Sequence, residues 1–379
     1  MRKFIFLLAC SFIFIFPLWT QQVIENPEKP LAKNAGRAVT LKEVMKITDE
    51  GTDQYYFKSP SLLHIAPDSS IYVLDRDQLL QFDQNGKFIR NCFKKGQGPG
   101  ELSYISDYLL TDKNIIIHNT YPSKIVIFDN TGALVKDFAV RIKASSSKLL
   151  ALCGNDYYFL TASSPEIKGE EGVIDQPQNI VSLLEGAEVT KDIGAFPIQT
   201  YIRNSNSGGS GWISLNKFIT ISFKREYLFI SHTPEYLVKL IDMKNGMVIR
   251  VFRRKYERVE PSSDTEKSIR GGAMVDGKLL IAPAKKFVDD IVNFFVHNNE
   301  LWVATSTKEK DKGVLIDVYN YEGTYTDSFY MKLPGRAEIN VTLPDSHVVF
   351  GDFLYAIEKN ADATYAVKKY TIGGQRKFP

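Results

Sequence analysis

The sequence predicts an all-β chain folded as one six-bladed β-propeller, because two hairpin phrases alternate along it six times and its composition suits strands. It holds 19 tyrosines and 24 phenylalanines but only 6 methionines, with 44% hydrophobic and 12% aromatic residues. Aromatic and β-branched side chains fit a pleated surface, so that balance favours sheet. The length of 379 residues exceeds an ordinary domain, yet closed β architectures run to this size as one unit.

The first phrase is an apolar strand, a short polar turn and a second apolar strand. Its copies are Leu62–Ile65/Ile71–Leu74, Tyr108–Leu110/Ile115–Ile117, Leu149–Leu152/Tyr157–Leu160, Phe218–Ile221/Tyr227–Ile230, Phe294–Val296/Leu301–Val303 and Val348–Phe350/Phe353–Ile357. Their turns, marked by Asp68, Asp112, Asn155, Lys224, Asn298 and Gly351, lie 44, 43, 69, 74 and 53 residues apart. The second phrase is a strand, an acidic or amide residue, then Gly and a further strand. It reads Leu80-Gln-Phe-Asp83-Gln-Asn-Gly86 and Ile125-Val-Ile-Phe-Asp129-Asn-Thr-Gly132, and returns at Asp242/Gly246 and Asn320/Gly323. Weaker copies are Val181–Gly186 and Val367–Gly373. Asp or Asn caps its own turn there and Gly takes the positive-φ position. Each unit therefore has four strands, a to d, running up and down, and such units stack their faces as propeller blades. A β-sandwich also has regular short strands, but it does not require six copies of one strand order.

The chain ends six residues after Gly373, which leaves little room for a fourth strand in the last unit. Arg37-Ala-Val-Thr-Leu-Lys-Glu-Val44 is expected to supply it beside residues 366–370, removing a free sheet edge. The expected organisation is a signal peptide over 1–20, a linker over 21–37 and the propeller over 38–379.

Export is read from Met1-Arg-Lys followed by the apolar run Phe4–Trp19, the arrangement of a secretory leader. Cleavage is expected near Gln21. Leu7-Leu-Ala-Cys10 resembles a lipoprotein signal, although apolar sequence continues beyond Cys10. The expected location is the periplasm or cell envelope, with membrane contact only through an uncleaved or lipidated N-terminus. Without residues 1–20 the net charge falls from +3 to +1, which offers no footprint for nucleic acid. Cys92 and Cys153 are expected to be buried free thiols.

The segment Phe93-Lys-Lys-Gly-Gln-Gly-Pro-Gly-Glu-Leu102, following Phe82-Asp-Gln-Asn-Gly-Lys-Phe88, resembles the six-bladed β-propeller family of exported Bacteroidota-type proteins. That family is distantly similar to NHL-repeat propellers. The motif residues are Gly96, Gln97, Gly98, Pro99, Gly100 and Glu101. The resemblance implies the fold and an envelope location, and no activity. Inserts at 161–179, 196–217 and 256–292 depart from a compact family pattern.

Little in the chain points to catalysis. The glycine-rich motif lacks a Gly-Lys-Ser/Thr ending and a following helix, so its glycines are read as turning the chain rather than cradling phosphate. His64, His118, His232, His297 and His347 show no metal-ligand spacing, and no Gly-x-Ser-x-Gly elbow occurs. No cofactor and no metal are expected. The short a–b and c–d turns share one face, while the variable b–c and d–a connections share the other, where binding residues usually reside. Candidate contacts on that long-connection face are Tyr104, Tyr121, Tyr201, Arg203, Trp212, Arg253, Arg254 and Tyr256. The expected function is non-enzymatic binding or scaffolding of a protein or glycan. The alternative is a lyase or hydrolase acting in the central channel, with or without a divalent metal.

Overall fold

The computed structural model describes residues 23–165, 171–185, 188–204, 210–262, 272–275, 278–335 and 346–373. The leader expected over 1–20 lies outside them. Ahead of the repeats come β1 (Val23–Asn26) and β2 (Arg37–Ile47). Blade 1 comprises β3 (Pro60–Ile65), β4 (Ile71–Asp75), β5 (Gln78–Phe82) and β6 (Phe88–Asn91). Blade 2 comprises β7 (Asp107–Leu110), β8 (Asn114–Thr120), β9 (Ser123–Asp129) and β10 (Leu134–Ala139). Blade 3 has β11 (Ser146–Cys153), β12 (Asp156–Ala162), β13 (Gly172–Leu184) and β14 (Val189–Asn204), with β15 (Ser210–Ser214) added at its outer edge. Blade 4 has β16 (Ile219–Phe223), β17 (Tyr227–Ser231), β18 (Val238–Asp242) and β19 (Met247–Arg254). A separate hairpin, β20 (Gly272–Val275) and β21 (Lys278–Ile281), precedes blade 5. Blade 5 is β22 (Ile291–His297), β23 (Glu300–Glu309), β24 (Gly313–Tyr319) and β25 (Tyr325–Met331). Blade 6 takes β26 (His347–Phe350), β27 (Phe353–Lys359) and β28 (Tyr365–Gly373) from the end of the chain.

Its fourth strand is β2, which runs antiparallel to β28 from Thr40↔Gly373 to Ile47↔Val367. The ring thus closes as the sequence predicts. The start of β2 also pairs in parallel with β25, Arg37↔Phe329 to Val39↔Met331, so one strand joins the last two blades. Residues 21–37, expected as a linker, include the docked strand β1, parallel to β19 as a fifth strand on blade 4. The buried Asn26 side chain donates to the Gly323 carbonyl at 2.9 Å and accepts from the Tyr325 amide at 2.8 Å. That amide pins the segment across blades 4 and 5, which is why it does not behave as a free tether.

Turn chemistry follows the sequence motif closely. Asp83 Oδ1 accepts the Asn85 and Lys87 amides, both at 2.9 Å, and Gly86 sits at φ +84°. Asp129 and Asp242 cap their turns in the same way, ahead of Gly132 and Gly246. A side-chain oxygen two residues before the turn satisfies amides that the ladder cannot reach. Apolar burial is divided among six clusters, one between each pair of neighbouring blades. Phe82, Leu63 and Tyr355, for example, fill the junction of blades 6 and 1. Both faces of each blade are consumed in this way, so exposed apolar side chains belong to edges and connections. Among the described residues there is no α-helix. Cys92 and Cys153 are unpaired thiols in blades 1 and 3.

Candidate functional site

All 19 tyrosines lie among the described residues, and only three are exposed: Tyr56 at 42%, Tyr104 at 57% and Tyr121 at 75%. The connection from β2 to β3 carries Tyr56, the connection from β6 to β7 carries Tyr104, and the β8–β9 turn carries Tyr121. Each is a d–a or b–c connection, so all three stand on the long-connection face of blades 1 and 2.

Buried polar side chains hold their backbones in place. Gln78 Nε2 donates to the Tyr56 carbonyl at 2.9 Å. Next to it, the fully buried Asp75 carboxylate accepts the amides of Lys58 and Ser59 at 2.6 and 2.8 Å. Asn119, also fully buried, accepts the Tyr104 amide at 2.9 Å and donates to the Pro122 carbonyl at 2.6 Å. Ser103 Oγ donates to the Tyr121 carbonyl. One asparagine and one serine therefore clamp the two tyrosine segments of blade 2 together. A surface fixed in this way loses little entropy when a ligand arrives.

Between Tyr56 and Tyr104 lies a groove of about 490 Å³, floored by Leu74 and Phe93 and edged by Lys58, Arg76, Asp77 and three serines. Arg76 begins the two-residue β4–β5 turn at φ +54°, in the left-handed region. Such a conformation is disfavoured in a residue with a Cβ. Tyr56 donates its hydroxyl to Asp77 Oδ1 at 2.8 Å. That bond lowers the Asp77 pKa from its ordinary value and raises that of the Tyr56 phenol. Burial raises the Asp75 pKa against the pull of its two backbone donors. Among the described residues neither the Arg76 guanidinium nor the Lys58 ammonium forms a close ion pair, although Arg76 pulls the Asp75 carboxyl down and Lys58 that of Asp77.

The sequence-derived candidates separate into four places. Tyr104 and Tyr121 come together as described. Arg203 is exposed and paired with Glu171 at 3.1 Å, near the end of β14. Trp212, 41% exposed, lies in β15 opposite Ile202. Gly208 and Gly209 of the glycine-serine run beside it lie outside the described residues. Tyr201 is a correction: its ring is buried and its hydroxyl is bonded to Glu171. Arg253 points outward to Glu25 at 2.7 Å. Arg254 is a second correction, since it is buried between blades 4 and 5 and both Nε and Nη2 reach Asp317 at 2.8 Å. Burial disfavours its charged form, but Asp317 outweighs that and holds the guanidinium above its ordinary value. Tyr256 is a third: it is half-buried, with its hydroxyl on Ser306 and Thr307 at 2.9 and 2.8 Å. Sequence reasoning missed Tyr56, Lys58, Arg76 and Asp77. Their only signal was position, since each falls in a connection of the long-connection face.

The glycine-rich motif folds on itself. Gly98 donates to Glu101 Oε2 at 3.1 Å, Leu102 donates to the Lys94 carbonyl at 2.9 Å, and Lys94 pairs with Glu101 at 3.2 Å. A Cβ on Gly96 would collide with the Glu101 carboxylate. Gly100 donates across to Asp137 of blade 2 at 3.1 Å. Its glycines thus shape a joint between blades, and the amides of Gly98 and Gly100 are spent on carboxylates of the chain itself.

The central channel is a cavity of about 410 Å³ walled by the first strand of every blade. Its lining is mixed: Leu62, Leu110 and Val296 stand beside the polar residues His64, Asp107, Lys148, Asn293 and His347. His347 Nε2 donates to the Pro334 carbonyl at 2.7 Å, and burial lowers its pKa from the ordinary histidine value. His118 is buried against Phe159, 3.7 Å from Asp107. Among the described residues no three His, Cys, Asp or Glu side chains are grouped to hold a metal.

Comparison with known proteins places this architecture. A family model described as a 6-bladed beta-propeller matches residues 22–335. Among solved structures, an exported-protein candidate from Bacteroides fragilis aligns with a TM-score of 0.52 at 11% identity, covering 93% of this chain and 99% of that one. A DUF4221 family member from Bacteroides vulgatus aligns with a TM-score of 0.52 at 12% identity, covering 89% and 99%. At these identities the likeness is one of fold. No curated protein matches the sequence.

Proposed function

The chain belongs to the DUF5128 family of 6-bladed beta-propellers, and on that premise we propose that it is an exported binding module of the cell envelope. It performs no chemistry of its own and captures a protein or glycan on the long-connection face. The observation that carries this reading is the gathering of the three exposed tyrosines, Tyr56, Tyr104 and Tyr121, on one rim. Sixteen other tyrosines are wholly or partly covered, so exposure here is selective. Rigid amphipathic rings on a fixed backbone are the usual anchors of binding surfaces.

Export rests on the charged start and the apolar run Phe4–Trp19. N-terminal sequencing of the native envelope protein should begin near Gln21, and a diacylated Cys10 would replace the cleaved-signal reading with a lipoprotein. Binding is tested by comparing wild type with the triple variant Tyr56→Ala/Tyr104→Ala/Tyr121→Ala as bait in native envelope extract. Both should melt at similar temperatures, and a specific species should be retained by wild type alone. Equal retention by the folded triple variant would place the ligand elsewhere.

A further inference from the structure

We propose, building on the reading of this face as a ligand surface, that the groove between Tyr56 and Tyr104 takes an anionic polysaccharide. Its sugar rings would carry carboxylates or sulfates. A pyranose presents a flat C–H face and a rim of hydroxyls, and it needs an aromatic plane beside hydrogen-bonding groups. Tyr56 and Tyr104 border the groove and Tyr121 stands next to Ser103, so the exposed rings form a row rather than a single anchor. At about 490 Å³ the groove falls in the range of small-ligand sites.

The polar groups are placed for the rest of such a ligand. Asp77 spends one oxygen on the Tyr56 hydroxyl and keeps acceptor capacity for a sugar hydroxyl. Serines 59, 61 and 103 line the same groove. The negative charge of the ligand is inferred from Arg76 and Lys58. Both cations edge the groove without a close ion pair among the described residues, whereas Arg253, Arg254 and Arg258 of blade 4 and the connection after it are all paired with carboxylates. Arg76 is moreover held at a left-handed turn position that Gly or Asn would occupy with less strain. A guanidinium kept at such a position suits bidentate contact with a carboxylate or sulfate.

The test is affinity electrophoresis of the mature chain in gels containing polygalacturonate, dextran sulfate or plain dextran. One charged polymer should retard wild type and plain dextran should not; polygalacturonate identifies carboxylate and dextran sulfate identifies sulfate as the anion. Arg76→Asn keeps a residue that tolerates the left-handed turn, and it should weaken retardation about tenfold or more. Tyr104→Ala should do the same. Tyr121→Ala serves as the control against misfolding, because the ring is largely in solvent, and it should weaken retardation while leaving the melting temperature unchanged. Retardation that survives in all three variants, or that is equal in plain dextran, overturns the proposal. If no polymer retards wild type while the triple tyrosine variant still loses its envelope species, the glycan class falls and the ligand surface stands. If neither changes, both fall.

Discussion

Replacing Arg254 by Met tests what joins blades 4 and 5. Asp317 has no exposed surface and accepts three hydrogen bonds, from Arg254 Nε at 2.8 Å, Tyr236 at 2.9 Å and Tyr325 at 2.6 Å, while Arg254 Nη2 lies 2.8 Å from the same oxygen as Nε. The guanidinium also lies over the rings of Tyr236, Tyr256 and Tyr325 at 5.2, 5.0 and 5.3 Å. Burial already pushes the Asp317 carboxyl up, opposed by Arg254 and the two tyrosines. Met restores much of the volume but leaves the carboxylate with phenolic donors only. Removing one partner of a buried pair costs about 3–5 kcal/mol, and about 4 kcal/mol is expected here at neutral pH. The deficit should narrow on acidification. With its cation gone, the native Asp317 binds its proton at a pH where the unfolded chain has released it. Stability of the variant therefore rises as pH falls toward the unfolded carboxylate value of about 4. Adding Asp317→Asn removes the stranded charge, keeps an acceptor for one tyrosine and offers an amide N–H to the hydroxyl oxygen of the other, so the double variant should recover about half of the loss. Urea unfolding near neutral pH and near pH 4.5 measures all of this. A single-variant cost below about 1 kcal/mol, or one that does not shrink in acid, would refute the argument that an ion pair fastens this junction.

Deleting residues 22–47 should leave β28 with a bare edge, and size-exclusion chromatography should show aggregates in place of the monomeric peak. Gly313→Ala should destabilise by roughly 2 kcal/mol or more, because at φ +98° an added Cβ lands on the Met331 carbonyl and 2.6 Å from the Lys332 amide nitrogen. At Gly154, where φ is +59° and nothing lies within 4 Å, alanine should cost only about 1 kcal/mol of backbone strain. Burial pushes Asp290 up to about 6 despite the bond from Arg258. The native state thus holds a proton that the unfolded chain loses near pH 4, and stability should fall between about pH 4 and 6. Asp290→Asn should flatten that fall, measured as melting temperature against pH.

Local features were legible in the sequence because their causes are local. Asp83-x-x-Gly86 and Asp129-x-x-Gly132 form their turns through bonds that span two to four residues. Six repeats of that chemistry, with strand periodicity between them, were enough to give blade number, strand order and the closing role of residues 37–44. The division into two loop faces was also legible, since the long inserts fall in b–c or d–a connections, although the b–c turns of blades 1 and 2 are only two residues long. What could not be read was which side chains on that face remain bare. Arg253 and Arg254 are neighbours in one strand and point to opposite sides; one meets Glu25 in solvent and the other Asp317 in the interior. Nothing in their composition distinguishes them. The insert around 256–292 was legible only as a departure from the compact pattern, and the structure ties its ends together: Val288 donates to the Val259 carbonyl at 2.9 Å and Arg258 pairs with Asp290 at 3.0 Å. Tyr56 drew no notice beside Tyr55, although Tyr55 packs on Phe82 and Phe88 while Tyr56 faces the groove. The sequence by itself determined the repeat and its closure, because hydrogen-bonded turns and alternating strands are written within a few residues. Tertiary structure alone decided the candidate site, because exposure depends on what a neighbouring blade, distant in sequence, lays over each residue.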